Sequence, residues 1–324
     1  MRTWIADAID SQPGMQVVGL AGDGMEAAAR NVELRPDVIT MDLRMPGADG
    51  FAGIARIMAE RPAPILVVTA EPESPNTFRA LSLGALDFLS KPSGPHEEAA
   101  FPERLGRRLR LLADTPVIRH VRGERQEASP APSPSSGRPK ASIVAIAASL
   151  GGPRAMARLL RALPEGYRLP IVVVQHMADG FTTGLVRWLR QETGREVHEA
   201  EDGEPLVPGR VLYAPAGRHI RVLRDRVRLD DGPPQHGFRP SATPLFRSIA
   251  SAWGEEACGV ILTGMGDDGA DGLRALHDAG GYTLAQSRES CAVFGMPRAA
   301  IEAGAVREVL PLEEIAVALA EVAR

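Results

Sequence analysis

Residues 123–142, GERQEASPAPSPSSGRPKAS, show no apolar periodicity and are rich in proline, serine and glycine. Such a stretch buries too little side chain to offset the entropy of ordering it. It reads as a flexible linker, so the chain must build two cores rather than one. The total of 324 residues, 44% of them hydrophobic, is enough for two domains of ordinary size. The expected division is residues 1–113, a linker over 114–140, and residues 141–324. No internal repeat is evident.

Composition removes several functional classes. A net charge of −4 gives no reason to expect nucleic acid as a partner. The longest apolar runs fall far short of the ~20 residues a membrane helix needs, so no membrane insertion is expected. The opening MRTWIADAID carries charges where a secretory signal has its apolar core. Cys258 and Cys291 are the sole cysteines. They imply no disulfide framework, suit a reducing cytoplasm, and read as small core residues.

The first part alternates short apolar runs with amphipathic segments. Helices are expected at 1–11, 24–34, 50–60, 76–83 and 98–112, and strands at 15–20, 38–41, 65–68 and 86–89. That alternation argues a parallel sheet covered on both faces. In such sheets the working residues gather at the carboxyl ends of strands. Asp42, Thr69 and Lys91 stand at three successive ends. Taken singly they read as a loop cap, a strand residue and a solvated charge. Together they suit phosphoryl transfer, in which a carboxylate attacks phosphorus while a hydroxyl and an ammonium bind the transferred oxygens.

The second part repeats the strand-end arrangement. In IVAIAASLGGPRAM, residues 143–156, an apolar run ends at Ser149, and Pro153 suits the first turn of the helix that follows. Gly151 and Gly152 permit a sharp turn and close approach of a ligand. The turn reads as a nucleophile turn resembling G-x-S-x-G, as a phosphate cradle, or as a plain N-cap serine. LPIVVVQHM runs into His176, and ACGVILTGMGDDGADG runs into Asp267 and Asp268. If the strands are parallel neighbours, a serine, a histidine and an aspartate meet in one crevice, as a nucleophile, a general base and an orienting acid require. The order Ser…His…Asp differs from the Ser…Asp…His of α/β-hydrolases. Proximity alone does not choose His176 over His198, His219, His236 or His277. GDDGADG lacks the spacing of a calcium loop, and no histidine or cysteine pair supports zinc.

Three blocks in the first part, PDVITMDLRMPGADG, PILVVTA and GALDFLSKP, resemble those of response-regulator receiver domains in order and spacing. The resemblance implies a flavodoxin-like parallel sheet. It implies Asp42 as phosphoacceptor, Thr69 as switch hydroxyl, Lys91 as phosphate contact and Phe88 as switch aromatic. A cis Lys91–Pro92 bond and a histidine kinase as phosphodonor come with it, as does Mg²⁺ for phosphorylation if a missing acidic pair is restored, Asp42 alone being a partial site. The blocks AIAASLGG, VVVQHMADGFT, EAEDGEPLVPGRVLYAPAGRHI, DGPPQHGFRPSA, GVILTGMGDDGADGL and CAVFGMPRAA resemble the chemotaxis protein-glutamate methylesterases, often called CheB. That resemblance implies a doubly wound α/β domain with Ser149 as nucleophile, His176 as base and Asp268, rather than Asp267, as orienting acid. It implies hydrolysis of glutamate γ-methyl esters on methyl-accepting chemoreceptors, deamidation of specific glutamines, activation by receiver phosphorylation, and a cytoplasmic location for this chain. Hydrolysis itself needs no cofactor.

The sequence departs from these families in places. Ala147 and Leu150 replace a glycine and a threonine around the nucleophile, Thr243 stands where an acid is usual, and GDDG replaces an Asn-Asp pair. These leave open a phosphorylation-controlled binding protein with a degraded esterase domain. A nucleotide site at SLGG is opposed by the lack of a G-x-G-x-x-G or Walker lysine. The receiver also lacks its usual first strand, which lies between the strands at 15–20 and 38–41 and ends in paired acids. Met1 is therefore expected to be an internal methionine of a longer protein.

Overall fold

A computed structural model describes residues 2–45, 50–71, 74–113, 138–178 and 180–323. The contacts divide the chain into two units, and the division falls between residues 114 and 137, outside the described residues. Most of the expected linker lies there too.

The first unit runs α1 (Arg2–Asp10), α2 (Gly24–Leu34), β1 (Ile39–Met41), α3 (Gly50–Glu60), β2 (Ile65–Thr69), α4 (Pro75–Ser82), β3 (Asp87–Ser90) and α5 (Pro95–Ala113). The strands form a parallel sheet in the order β1-β2-β3. Central β2, ILVVT, is buried along its whole length, which is why its sequence runs apolar instead of alternating. Asp23 starts α2 by accepting the N–H groups of Met25 and Glu26. Trp4 of α1 stacks on Phe101 of α5, with ring centroids 4.8 Å apart.

Residues 15–20 are not the expected strand. They form no β ladder among the described residues, and the Val17 N–H is taken by Asp10 Oδ1 at 2.8 Å. Their alternating apolar residues favour β structure, but a strand needs a neighbour to pair with. Between them and β1 lies a cavity of about 830 Å³, lined by Ile5, Ile9, Val17, Ile39, Met41 and Leu109 among others. Val18 and Leu20 are consequently exposed. The cis bond expected at Lys91–Pro92 is also absent, and the one cis bond among the described residues is Arg239–Pro240.

The second unit runs β4 (Ile143–Ala148), α6 (Gly152–Ala162), β5 (Ile171–Gln175), α7 (Thr182–Thr193), β6 (Val197–Glu199), β7 (Val211–Tyr213), β8 (His219–Val222), β9 (Val227–Asp230), α8 (Ala242–Trp253), β10 (Ala257–Ile261), α9 (Ala270–Asp278), β11 (Tyr282–Gln286), α10 (Met296–Glu302), β12 (Glu308–Leu310) and α11 (Leu312–Val322). Its sheet has the order β12-β11-β10-β4-β5-β7-β6, and each neighbouring pair is parallel. The chain runs from β4 to β5 and on to the edge strand β6, inserts β7 between β5 and β6, then returns to β10 and winds outward on the other side. This is the doubly wound α/β arrangement expected, with its switch point at β4 and β10.

Alternate residues of β4 and β5 define one core. Ile143, Ala145, Ala147, Val172 and Val174 pack in a cluster with Leu245, Phe246 and Ile249 of α8, Leu273 and Leu276 of α9, and Met296 of α10. The opposite residues Val144, Ile146 and Val173 are buried as well, so both faces of the sheet are covered. Arg138, expected in the linker, belongs to this unit. It pairs with Glu308 at 3.0 Å and with Glu321, and Ala141 N–H donates to Val322 O.

Candidate active site and phosphoacceptor site

The site of the second unit is assembled at the carboxyl ends of β4, β5 and β10. Ser149 follows β4, His176 follows β5, and Asp268 lies in the loop between β10 and α9. Parallel pairing brings the first two level: His176 N–H donates to Ala148 O at 2.9 Å. Ser149 N–H donates to Thr263 O at 3.0 Å, tying the serine to the loop after β10. Gly151 holds φ at 77°, turning the chain into α6. Gly264 sits against the nucleophile so closely that a Cβ there would lie 2.8 Å from Ser149 Cβ.

Asp268 and His176 are buried and joined through His176 Nε2 and Asp268 Oδ2 at 2.8 Å. The carboxylate is heavily bonded. Oδ1 accepts Ser241 Oγ at 2.6 Å and Thr243 Oγ1 at 2.9 Å, and Oδ2 accepts Ala242 N–H at 2.7 Å. It thus caps the N-terminus of α8, where an anion is favoured. Burial pushes its pKa up, but the donors His176, Ser241 and Ala242 outweigh this and hold it at about 2. A carboxylate at Asp268 fixes the proton of His176 on Nε2. That leaves Nδ1 as the free ring nitrogen, buried and without a hydrogen-bond partner, Ser149 Oγ included.

Asp267 differs completely. Its side chain is 72% exposed and faces His236 Nδ1 at 3.4 Å. Of the other histidines, His198 bonds Glu204, His277 bonds Thr283, and buried His219 bonds Pro233 O and Ser241 N–H.

Of the N–H groups near Ser149, Gly152 N–H is consumed by Ser149 O at 2.9 Å, so it is not an oxyanion donor. Those of Leu150, Gly151 and Met265 have no acceptor among the described residues. Gln175, which sequence reasoning passed over, clamps the turn by donating Nε2 to Ser149 O at 2.7 Å and His176 O at 2.9 Å. Its position directly before His176 at a strand end was the available signal. Ser241 and Phe238, whose ring stacks on His176 with centroids 3.9 Å apart, were also missed. They belong to a loop whose contacts are distant in sequence.

In the first unit, Lys91 Nζ is bonded to Asp42 Oδ2, and Asp42 Oδ1 accepts Arg44 N–H at 3.1 Å. Thr69 is buried at the end of β2, its hydroxyl accepting Glu71 N–H at 3.0 Å. Lys91 N–H donates to Thr69 O at 2.7 Å, so the three strand-end residues form one cluster. Phe88 is buried edge-on against Phe78 at 5.4 Å. Mg²⁺ is a different matter. No group of three or more histidine, cysteine, aspartate or glutamate side chains gathers among the described residues, and the Asp42 carboxylate is engaged by an ammonium. The described residues around Asp42 do not by themselves compose a divalent-cation site.

Residues 144–319 match the CheB methylesterase family, and residues 1–99 match the response regulator receiver domain. The protein-glutamate methylesterase/protein-glutamine glutaminase 2 of Anaeromyxobacter dehalogenans is 54% identical over 323 residues, covering all of this chain and 94% of that protein. The corresponding enzyme 4 of Myxococcus xanthus is 43% identical, covering 97% of this chain and 92% of that protein. The crystal structure of the Thermotoga maritima CheB methylesterase catalytic domain is 37% identical with a TM-score of 0.55, covering 56% of this chain and 99% of that one. With a receiver domain in its first unit and this fold in its second, the chain belongs to the CheB methylesterase family.

Proposed function

We propose that this chain hydrolyses glutamate γ-methyl esters and glutamine side-chain amides of chemoreceptors, with Ser149, His176 and Asp268 as its working residues. The observation that carries the assignment is the single free, buried nitrogen of His176, Nδ1, on an imidazole whose other nitrogen is committed to an ionised Asp268. Ser149 Oγ attacks the γ-carbonyl carbon as its proton passes to His176 Nδ1. The oxyanion forms beside the N–H groups of Leu150, Gly151 and Met265, where losing one donor costs about 2.7–4 kcal/mol. The C–O bond then breaks, and methanol departs with the proton from Nδ1. Water attacks the acyl-serine with the same base and releases the glutamate. A glutamine follows the same path, with ammonia as leaving group.

The rival reading, a binding protein with a degraded esterase domain, is not favoured. Ala147 lies in the core rather than in the crevice. The Leu150 carbonyl is held by Thr263 Oγ1 at 2.9 Å, so the turn is kept without the usual threonine.

Control through the first unit is part of the reading. Asp42 accepts a phosphoryl group from a histidine kinase, with Lys91 and Thr69 at hand for its oxygens. As a CheB-family chain with a receiver domain, the protein is placed in the cytoplasm by this reading. The test is methanol release from methylated receptor. Ser149→Ala and His176→Ala are each expected to lose at least about 10³-fold in rate while remaining folded. Near-normal release by either overturns the assignment.

A further inference from the structure

One hydrogen bond fixes the position of the His176 ring but not its plane, since such bonds tolerate bending by tens of degrees. The plane is set from elsewhere. Phe238 lies face to face with the imidazole, the ring centroids 3.9 Å apart and the planes only 1° from parallel. Two neutral aromatic rings prefer an offset or edge-on arrangement with centroids about 4.5–7 Å apart. A closer, parallel stack suits a cation above the negative face of a phenyl ring. The imidazole carries such a charge once it has taken the Ser149 proton.

The support beneath Phe238 is rigid. Residues 235–238 form a two-residue hairpin, closed by Gln235 N–H to Phe238 O at 3.0 Å and Phe238 N–H to Gln235 O at 2.9 Å. Its central residues, His236 and Gly237, both hold positive φ, 51° and 80°, as the tightest hairpin turns demand. Below the tip, Arg239 Nη1 donates to Asp231 O and Gly232 O, each at 3.2 Å, and Arg239 O accepts Gly217 N–H at 3.1 Å. Buried His219 joins both feet, donating Nε2–H to Pro233 O at 3.1 Å and accepting Ser241 N–H on Nδ1 at 3.2 Å. Three residues beyond Phe238, the same segment delivers Ser241, Ala242 and Thr243 to Asp268. One stretch of chain therefore reaches both neighbours of the imidazole, its face and its carboxylate.

We propose that Phe238 is a positioning residue for the hydrolysis: it holds the His176 ring in the plane that presents Nδ1 to Ser149 and favours the imidazolium formed in the transition state. The proposal rests on the triad assignment above. An interaction strengthened only when the ring is charged raises kcat and leaves substrate binding alone.

The experiment compares Phe238→Tyr, Phe238→Leu and Phe238→Ala in the full chain, by methanol release from methylated receptor, with Ser149→Ala run alongside. Tyrosine keeps the aromatic face and is expected to stay within about threefold of wild type. Leucine keeps the bulk without the face and is expected to lower kcat about tenfold, in line with a desolvated cation–π contact, with KM unchanged. Alanine frees the ring and is expected to lower kcat about 10²-fold, as a misplaced catalytic group does. If alanine prevents folding, the tyrosine–leucine pair decides. Equal kcat for those two variants, or a loss carried by KM, overturns the proposal. Activity retained by Ser149→Ala overturns the triad instead, so the two failures are distinguishable.

Discussion

Asp268 Oδ2 lies 2.8 Å from His176 Nε2, while the adjacent Asp267 points to solvent and meets His236 instead. Two neighbouring carboxylates thus have opposite surroundings, and only one of them addresses the imidazole. Asp268→Asn is expected to lower methanol release about 10³–10⁴-fold, because an amide no longer sets the tautomer of the base. Asp267→Asn is expected to change it less than about fivefold, since an exposed ion pair is worth at most about 1 kcal/mol. Equal losses contradict the assignment of the acid.

The approach of Gly264 to the nucleophile predicts a second effect. A side chain there must push on Ser149 Cβ and Ser149 N, 2.8 and 3.0 Å from the new Cβ. Gly264→Ala is expected to reduce the rate about 10²-fold while the circular dichroism of the protein is unchanged. Full activity in this variant contradicts the placement of the Ser149 turn.

Acid stability follows from the depressed pKa of Asp268, about 2 against an ordinary 3.8. A carboxylate lowered in this way contributes stability that is complete above the unfolded value and is lost as the pH falls through the folded one. In urea unfolding, the advantage of wild type over Asp268→Asn is expected to be constant above about pH 5. It should shrink by about 2 kcal/mol toward pH 2. An advantage independent of pH across that range contradicts the ionised state drawn here.

For the first unit, the proposed acceptor is Asp42, whose carboxylate is bonded to Lys91 Nζ. Phosphoryl label from acetyl phosphate is expected on Asp42, and Asp42→Asn is expected to remove both the label and any rise in methanol release that the phosphodonor causes. A response that survives Asp42→Asn contradicts control through this residue.

Much of this was legible because strand ends announce themselves. Runs such as IVVVQ and ACGVI are apolar on both faces, and the polar residues that interrupt them fall where a parallel sheet gathers its chemistry. The choice of Asp268 over Asp267 was not in the spacing. It depends on Ser241, Ala242 and Thr243, which approach from a helix start more than twenty residues earlier. Phe238 was hidden for the same reason, since nothing local marks a hairpin tip as the cover of a distant histidine. Residues 15–20 were misread in the opposite sense: their alternation is genuine β propensity, but the fold around them supplies no ladder. Both cysteines were read as core residues. Cys258 and Cys291 are buried, and burial pushes the Cys291 thiol up to about 12, so it is not a reactive thiolate.

The most direct measurement is methanol release from methylated receptor by residues 138–324 alone, a fragment that retains the Arg138 pairs with Glu308 and Glu321. That fragment contains Ser149, His176, Asp268 and the segment that orients them. It is expected to release methanol without any phosphodonor, and to stop doing so when Ser149 is changed to alanine. A folded fragment that releases none, or one whose activity survives Ser149→Ala, contradicts the account.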